Sequence, residues 1–189
     1  LLSSKFGKKI EKIQKEVFKI SKKEFNIASP KQLGEILYND LKIADLKKTK
    51  KGSFATSASV LEDLAFKGHQ FPQLVLDWRQ VSKLKNTYSD SLPEHTNPLS
   101  KRIHTSFLLA ATTTGRLASS DPNLQNIPIK SEDGKDIRRA FIAKKDHVLI
   151  SADYNQIEMR ILADLANVKE LKKAFKNNED IHSLTASQI

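Results

Sequence analysis

The chain has 189 residues and a formal net charge of +10 at pH 7, from 32 Lys and Arg against 22 Asp and Glu. This charge favours a polyanionic partner, nucleic acid before an acidic membrane surface, although a lysine-rich solvated surface would carry it equally well. The absence of cysteine excludes disulfides and thiolate metal sites and fits a reducing cytoplasm. No apolar run approaches the roughly 18 residues of a membrane span, so we expect no membrane partner.

Helical periodicity dominates the first half of the chain. Apolar residues recur at steps of three and four from Phe6 to Ile20, which predicts an amphipathic helix over residues 1–25 with lysines on its polar faces. Residues 29–32, SPKQ, have the pattern of a capping box with proline at the first helical position. The residues of that helix predicted to point inward are Leu33, Ile36 and Leu37.

Two more helices are predicted before residue 95. Ser59 opens a second capping box, SVLE, and Gly68 stands where that helix would end. The next helix is predicted to begin at Pro72 and to end before Pro93. Its inward stripe is predicted to consist of Leu74, Trp78, Val81, Lys85 and Tyr88. The basic, aperiodic segment at residues 47–53, KKTKKGS, is predicted to be an exposed loop.

The pattern changes near residue 95. Alternation of apolar and polar residues predicts a strand at residues 102–107, and short apolar runs predict two more at 141–142 and 148–150. Residues 113–130 are rich in Thr, Ser, Asn and Pro and are predicted to form an ordered loop.

Helical spacing returns after Gln156, with a second short helix predicted over residues 168–175 and Asp180 as the cap of a third. The predicted fold class is therefore α+β, a helical half followed by a mixed half that starts a sheet.

A single carboxylate, Asp153, follows the apolar run at residues 147–150 and precedes a helix start. This order predicts an acid at the end of a strand. Hard cations prefer carboxylate and carbonyl oxygens, and two such ions can bind the attacking and leaving oxygens of a phosphoryl transfer. The alternative is an Asp that caps the following helix, which is a very common role. Glu158 has its own ordinary alternative as a first-turn helical acid.

Two segments resemble the polymerase domain of family A DNA polymerases, the bacterial DNA polymerase I type. Residues 153–160, DYNQIEMR, are similar to the family motif DYSQIELR, with Asn155 and Met159 as mild departures. Residues 113–128, TTGRLASSDPNLQNIP, are similar to the family motif TGRLSSxDPNLQNIP, with Ala118 in place of the first Ser. The resemblance covers essentially the whole chain and implies a helical thumb over residues 1–95 and, over 96–189, the first part of a palm with an antiparallel sheet.

The resemblance implies roles for the residues of the motif at 153–160. Asp153 would ligate both catalytic Mg²⁺ ions, and the carbonyl of Tyr154 would add a further oxygen. Glu158 would clash with a 2′-hydroxyl and so select deoxyribose in the incoming deoxynucleoside triphosphate. The other residues implied to contact that nucleotide are Gln156, Ile157 and His182. Arg160 is expected to pair with a nearby acid.

The resemblance also implies contacts with primer–template DNA. Minor-groove acceptors lie at nearly equivalent places in every base pair, so Arg, Asn and Gln donors can probe pair shape independently of sequence. Arg116 would reach the minor groove at the primer terminus. The other residues implied to contact DNA are Asn123, Gln125, Asn126, Asn26, Ser29, Thr56, Ser57 and Lys85. The alternative for the loop is a structural turn, especially at Asp121 and Pro122. No specific role is indicated for Lys130, Arg138 or Arg139.

The implied activity is DNA-templated DNA synthesis, in which a primer 3′-hydroxyl attacks the α-phosphate of a deoxynucleoside triphosphate. The expected protein is a cytoplasmic, nucleoid-associated bacterial monomer, and the N-terminus LLSSK predicts that the chain begins inside a longer polypeptide. The family's fingers helix and its late palm motif are missing, so we expect the isolated chain to bind primer–template but not to extend it. The alternatives are a non-catalytic nucleic-acid-binding module and, more weakly, a basic helical scaffold for acidic proteins.

Overall fold

The computed structural model describes residues 1–43, 54–129 and 131–181. They form two compact units, Leu1–Phe141 and Ile142–Ile189. The predicted basic loop at 47–53 and the predicted nucleotide contact His182 lie outside the described residues. The predicted boundary between thumb and palm at residue 95 concerns the subdomains of a polymerase domain. It stays a prediction.

The first helix, α1, spans Leu2–Ser21 and confirms the predicted amphipathic helix. Phe6 and Val17 are fully buried, and Ile13 lies beside them on the same face. The helix ends where Lys22 adopts the left-handed conformation with φ 57°, a common way for a helix to terminate. Burial of this one apolar face, rather than helix propensity alone, holds α1 in place.

The second helix, α2, spans Pro30–Gly34 and begins as predicted. The side chain of Ser29 accepts a hydrogen bond from the backbone N–H of Gln32, and proline occupies the first helical position. The reciprocal half of the capping box is not formed, because Gln32 Oε1 accepts from the N–H of Asn26 at 2.7 Å. A wider π-helical segment, Glu35–Asp40, follows. The three predicted inward residues are all buried: Leu33, Ile36 and Leu37.

Gly34 is a position where the fold requires the smallest residue. A Cβ added to Gly34 would overlap the side chain of Phe54, whose ring stacks on Tyr38 at 5.7 Å between ring centroids. We therefore expect Gly34→Ala to destabilise the first unit by about 1–3 kcal/mol, the usual range for overpacking. Chemical denaturation followed by the fluorescence of Trp78, the only tryptophan of the chain, measures this unit alone.

Gly7 in α1 is the matched control for that substitution. Its added Cβ would meet nothing closer than Lys85 Cε at 3.7 Å, an ordinary van der Waals contact. Gly7→Ala is expected to raise stability by roughly 0.5–1 kcal/mol, because alanine loses less backbone entropy in a helix. Equal behaviour of the two alanine variants would contradict the tight packing at Gly34.

The helices α3, Ala58–Phe66, and α4, Gln70–Leu84, start earlier than predicted. The N-cap of α3 is Ser57 rather than Ser59, and the hydroxyls of these two serines lie 3.1 Å apart instead of capping the helix. Pro72 lies inside the first turn of α4, where its missing N–H would have no intrahelical acceptor in any case. Gly68, with φ 90°, follows the end of α3 as predicted.

The fourth helix, α4, ends at Leu84, before Pro93 as predicted, but helical structure continues past that proline. After α4 the chain continues through a π-helical segment, Lys85–Asp90, into the short helix α5, Ser91–Glu94. Pro93 is tolerated there because it is still in the first turn of the new helix. The largest side chains of the resulting core are fully buried: Phe6, Phe71, Leu33, Ile36, Leu37 and Leu61.

Two short strands form an antiparallel pair, β1, Ser106–Leu108, and β2, Ala118–Ser120. Ser106 pairs with Ser120 and Leu108 pairs with Ala118. The small antiparallel sheet is confirmed, but β1 begins later than predicted and β2 lies inside the predicted loop. The hydroxyl of Thr105 donates to the carbonyls of Ser120 and Pro122, at 3.1 and 2.8 Å, and so fixes the base of the hairpin.

Helix α6, Glu132–Arg139, was not predicted from the sequence. Ser131 caps it by accepting from the N–H of Gly134 at 3.1 Å, and Ile137 is its buried apolar residue. Its acidic side attaches to α1 through two ion pairs, Lys5–Asp136 and Lys9–Asp133, each 2.5 Å. An eight-residue helix with one inward apolar residue carries little periodic signal, which explains the omission.

The second unit contains α7, Ile157–Leu165, and α8, Lys169–Lys176, which confirms both predicted helices. The predicted strands at 141–142 and 148–150 are wrong, because both stretches are irregular. Val148, Leu149 and Ile150 are 80, 69 and 88% exposed. A strand needs a neighbour to bond its backbone groups, and the described residues of this unit include no strand. The helix predicted after Asp180 falls almost entirely outside the described residues.

No helix within the described ranges is both long enough and apolar enough to cross a membrane.

Candidate DNA and nucleotide sites

The segment at residues 113–128 forms a tightly bonded turn that leaves polar side chains at the surface. Asn123 Oδ1 accepts from the N–H of Gln125 at 3.0 Å and from the hydroxyl of Ser119 at 3.1 Å. Gln125 Nε2 donates to the carbonyl of Leu117 at 2.9 Å. Asn123 and Gln125 remain exposed. The segment is therefore a structural turn, one of the two alternatives given for it, and it also leaves polar side chains exposed, as the other alternative requires.

Arg116 lies in the connection between β1 and β2, directly before Leu117, whose carbonyl accepts the bond from Gln125. The two strands, this connection and the bonded turn after β2 form one surface hairpin, residues 106–128. Its side chain is exposed, and its carbonyl accepts from the hydroxyl of Thr112 at 2.8 Å. Gly115 precedes it with φ 72°, a conformation that glycine adopts readily. The structure thus brings the predicted minor-groove residues Arg116, Asn123 and Gln125 into one surface hairpin.

Side chains from outside the segment hold its far end. The hydroxyl of Tyr88 donates to the carbonyl of Asn126, and burial raises the pKa of that hydroxyl. Arg138 donates from Nε to the carbonyl of Pro128 and from Nη2 to that of Ile127, both at 3.2 Å. Neither role is visible in the sequence, since all three bonds join residues that are neighbours only in the folded chain.

The predicted DNA contacts of the helical region differ in their accessibility. Asn26 is exposed, and its Oδ1 accepts from the N–H of Ala28 at 3.0 Å. Ser29 caps α2 and is partly exposed. Ser57 is exposed, whereas Thr56 is only 6% exposed. Arg79 Nη1 donates to the carbonyl of Thr56 at 2.8 Å, and burial lowers the pKa of Arg79. Thr56 is therefore a buried residue whose backbone carbonyl is bonded to Arg79, and its side chain is not accessible to DNA in this structure.

Lys85, another predicted DNA contact, pairs within the protein. Its Nζ lies 2.5 Å from the carboxylate of Asp90, and the hydrogen bond from Lys85 lowers the pKa of that carboxyl. This ion pair with Asp90 engages the ammonium group that would otherwise donate to a DNA phosphate. A DNA contact by Lys85 therefore stays a prediction.

In the second unit, Asp153 and Tyr154 lie exposed in an irregular segment that leads into α7. The expectation of a strand-end carboxylate is therefore not met, because residues 148–150 form no strand. The alternative role as a helix cap is also not observed, since Gln156 is the N-cap of α7 and that helix has no side-chain cap bond. Ile157 and Glu158 lie in the first turn of α7.

The turn before α7 is organised by Arg160. Its Nε donates to the carbonyl of Asn155 at 2.9 Å, and its guanidinium lies 4.4 Å from the ring centroid of Phe175. The expected pairing with an acid is thus replaced by a carbonyl bond and a cation–π contact. Gln156 adopts the left-handed conformation with φ 52°, which is unusual for a residue other than glycine. A cavity of about 260 Å³ lies beside these residues.

The donors for a magnesium ion are incomplete in the described ranges. There, no three side chains of His, Cys, Asp or Glu come together in a metal-binding group. Asp153 supplies one exposed carboxylate, of the oxygen type that Mg²⁺ prefers, and the adjacent carbonyl of Tyr154 is a second oxygen. These two donors do not by themselves fit a complete two-metal centre.

The sequence model of DNA polymerase family A matches residues 1–189, and the chain therefore belongs to DNA polymerase family A. DNA polymerase I of Rhizobium leguminosarum is 50% identical over 188 residues, which cover 100% of this chain and 18% of the relative. DNA polymerase I of Caldicellulosiruptor bescii is 51% identical over 181 residues, covering 96% of this chain and 21% of that protein.

A solved structure has the same fold. The POL domain of Pol1 from M. smegmatis, in complex with DNA primer-template and dNTP, superposes with a TM-score of 0.86 at 41% sequence identity. The match covers 98% of this chain and 33% of that one. The predicted family and fold class are thereby confirmed. The chain spans only about a fifth of the length of these curated relatives.

Proposed function

We propose that this chain is the part of a DNA-directed DNA polymerase that engages the primer–template and supplies two oxygen ligands of the catalytic metal site. The observation that carries the proposal is the part of the hairpin at residues 113–128. It presents Arg116, Asn123 and Gln125 at the surface on a backbone that its own side-chain bonds hold fixed. Fixed donors suit the minor groove, where acceptors occupy nearly the same place in every base pair.

In this proposal two interactions bind the duplex, a general attraction of charge and a set of minor-groove hydrogen bonds. The net charge of +10 attracts the phosphate backbone without regard to sequence. Arg116 and the neighbouring amides then favour a paired primer terminus, because only a correctly shaped pair places its acceptors within reach. Asn26, Ser29 and Ser57 would contribute phosphate contacts from the helical region, and Asn126 would act beside Gln125. The partner is thus primer–template DNA rather than an acidic protein.

The second unit would serve the incoming deoxynucleoside triphosphate. Asp153 and the carbonyl of Tyr154 would hold Mg²⁺ together with ligands that the described ranges do not include. When bound, Mg²⁺ would neutralise charge on the reacting phosphate. Glu158, in the first turn of α7, would exclude a 2′-hydroxyl, and Gln156 and Ile157 would line the nucleotide site. His182, outside the described residues, would contact the phosphates. We propose a monomer that, as this 189-residue chain, binds primer–template without extending it.

A second candidate, a non-catalytic nucleic-acid-binding module, has one observation in its favour. Among the described residues no three metal-binding side chains come together, at Asp153 or elsewhere, whereas two-metal phosphoryl transfer requires several ligands. The two candidates differ in one test. The test fuses this chain to the C-terminal polymerase region of the Caldicellulosiruptor bescii relative. The fusion is expected to extend a primer if the chain is part of a polymerase, and not if it is a non-catalytic module.

The proposed junction contact is tested with Arg116→Ala. Fluorescence anisotropy across a salt series compares binding to a primer–template junction with binding to plain duplex. We expect the unchanged chain to prefer the junction and Arg116→Ala to lower that preference about tenfold, the size of one charge-assisted hydrogen bond. Removal of the charge itself would weaken binding to both DNAs alike.

Lys67→Ala is the matched control, since Lys67 is exposed and has no proposed DNA contact. It removes the same charge and should leave the junction preference unchanged. If the chain binds both DNAs equally and neither substitution alters their ratio, the +10 charge alone explains binding and the proposed contact is wrong.

A further inference from the structure

Three consecutive backbone carbonyls at the C-terminal end of the hairpin, residues 126–128, accept hydrogen bonds from side chains elsewhere in the first unit. Tyr88 donates to the carbonyl of Asn126, and Arg138 donates to those of Ile127 and Pro128. The two Arg138 bonds leave from different nitrogens, Nε and Nη2, at 3.2 Å each. Only a planar guanidinium offers two donors in this fixed arrangement, and the single ammonium of lysine does not.

Helix α6 also touches this end of the hairpin through its backbone. A Cβ added to Gly134 would lie 3.0 Å from Pro128 Cβ and 3.1 Å from its carbonyl carbon and oxygen. These separations are tighter than nine in ten real Cβ contacts, so a side chain at this position would displace Pro128 by a few tenths of an ångström. The helix is therefore in direct contact with the hairpin at one point and bonded to it at another, four residues apart.

The helix is in turn attached to α1. Lys5 and Lys9 reach across from α1 to Asp136 and Asp133, and buried Ile137 belongs to the core of the first unit. Arg138 thus extends from a helix that is fixed on the opposite side. Arg139, its neighbour, bonds Asp136 at 2.6 Å instead.

We propose that Arg138, supported by the close approach at Gly134, is a positioning residue that sets where Gln125 and Asn126 present their amides to the primer terminus. The proposal rests on the proposed function for its consequence in DNA binding. Asn126 carries one of the three held carbonyls, and Gln125 precedes it directly. Consecutive residues are joined by rigid 3.8 Å links, so a shift at residues 126–128 moves both side chains.

The test compares Arg138→Met with Arg139→Met in the 189-residue chain. Both remove one positive charge from the last turn of α6, but only the first removes donors to the hairpin. Without DNA, amide hydrogen exchange at Leu124 and Gln125, whose N–H groups bond Ser119 and Asn123, should become roughly tenfold faster in Arg138→Met and stay unchanged in Arg139→Met. With DNA, Arg138→Met should lose about as much junction preference as Arg116→Ala.

Two further variants guard against a simple folding defect. Arg138→Lys keeps the charge and should recover plain-duplex binding but only part of the junction preference. Gly134→Ala keeps Arg138 and should accelerate the same two amides. Equal exchange rates in Arg138→Met and Arg139→Met would overturn the proposal. A chain that shows no junction preference at all would refute the proposed function, and the amide exchange would still decide whether Arg138 holds the hairpin.

Discussion

Replacing Asp153 by Asn is expected to lower primer extension by roughly a thousandfold in the fusion that carries the C-terminal region of a relative. Loss of a metal ligand removes several kcal/mol of transition-state stabilisation, and each 1.36 kcal/mol corresponds to a factor of about ten in rate. The substitution changes one oxygen to nitrogen on an exposed side chain with no role as a helix cap. Single-turnover primer extension and junction binding are measured together, and binding should be unaffected.

Asp146→Asn serves as the control for that change. Asp146 is an exposed carboxylate of the same unit, and its φ of 62° suits asparagine equally well. Its extension rate should match that of the unchanged fusion. Should Asp153→Asn retain extension within a few-fold of that rate, Asp153 is not a metal ligand.

Phe6→Ala is expected to destabilise the first unit by about 3–5 kcal/mol, the usual range for truncating a buried phenylalanine. The side chain is 0% exposed and lies in the core with Phe71 and Val81 of α4. A loss of this size is a large part of the roughly 5–15 kcal/mol that keeps a domain folded. Urea denaturation followed by Trp78 fluorescence measures the change.

Phe66→Ala provides the matched control, because the ring of Phe66 at the end of α3 is 95% exposed. Its substitution should change stability by no more than about 0.5 kcal/mol. Similar losses in the two variants would show that the core around Phe6 is not packed as described.

The helices α1 to α4 of the first unit could be predicted because their signals are local. The step of three and four in α1, the cap at Ser29 and the break at Gly68 each act within one or two turns of the chain. The errors fall where a partner decides the conformation. Residues 148–150 are apolar enough for a strand, yet no described strand of their unit is available to pair with them.

The candidate site divides in the same way. The sequence by itself determined the family and nominated Asp153, Arg116 and the amides of residues 123–126, because these motifs are contiguous strings. Only the tertiary structure decided which of the nominated residues are accessible. It buries Thr56 and pairs Lys85 with Asp90.

Tertiary structure alone also decided what holds the hairpin. Arg138 and Tyr88 are separated from the carbonyls that they bond by 10 to 38 positions along the chain, beyond the reach of helical or strand periodicity. Side-chain type and short spacing are fixed by the sequence, and so is the chemistry of each motif. Burial, ion pairing and long-range hydrogen bonds depend on which elements pack together, and they emerge only when the chain is folded.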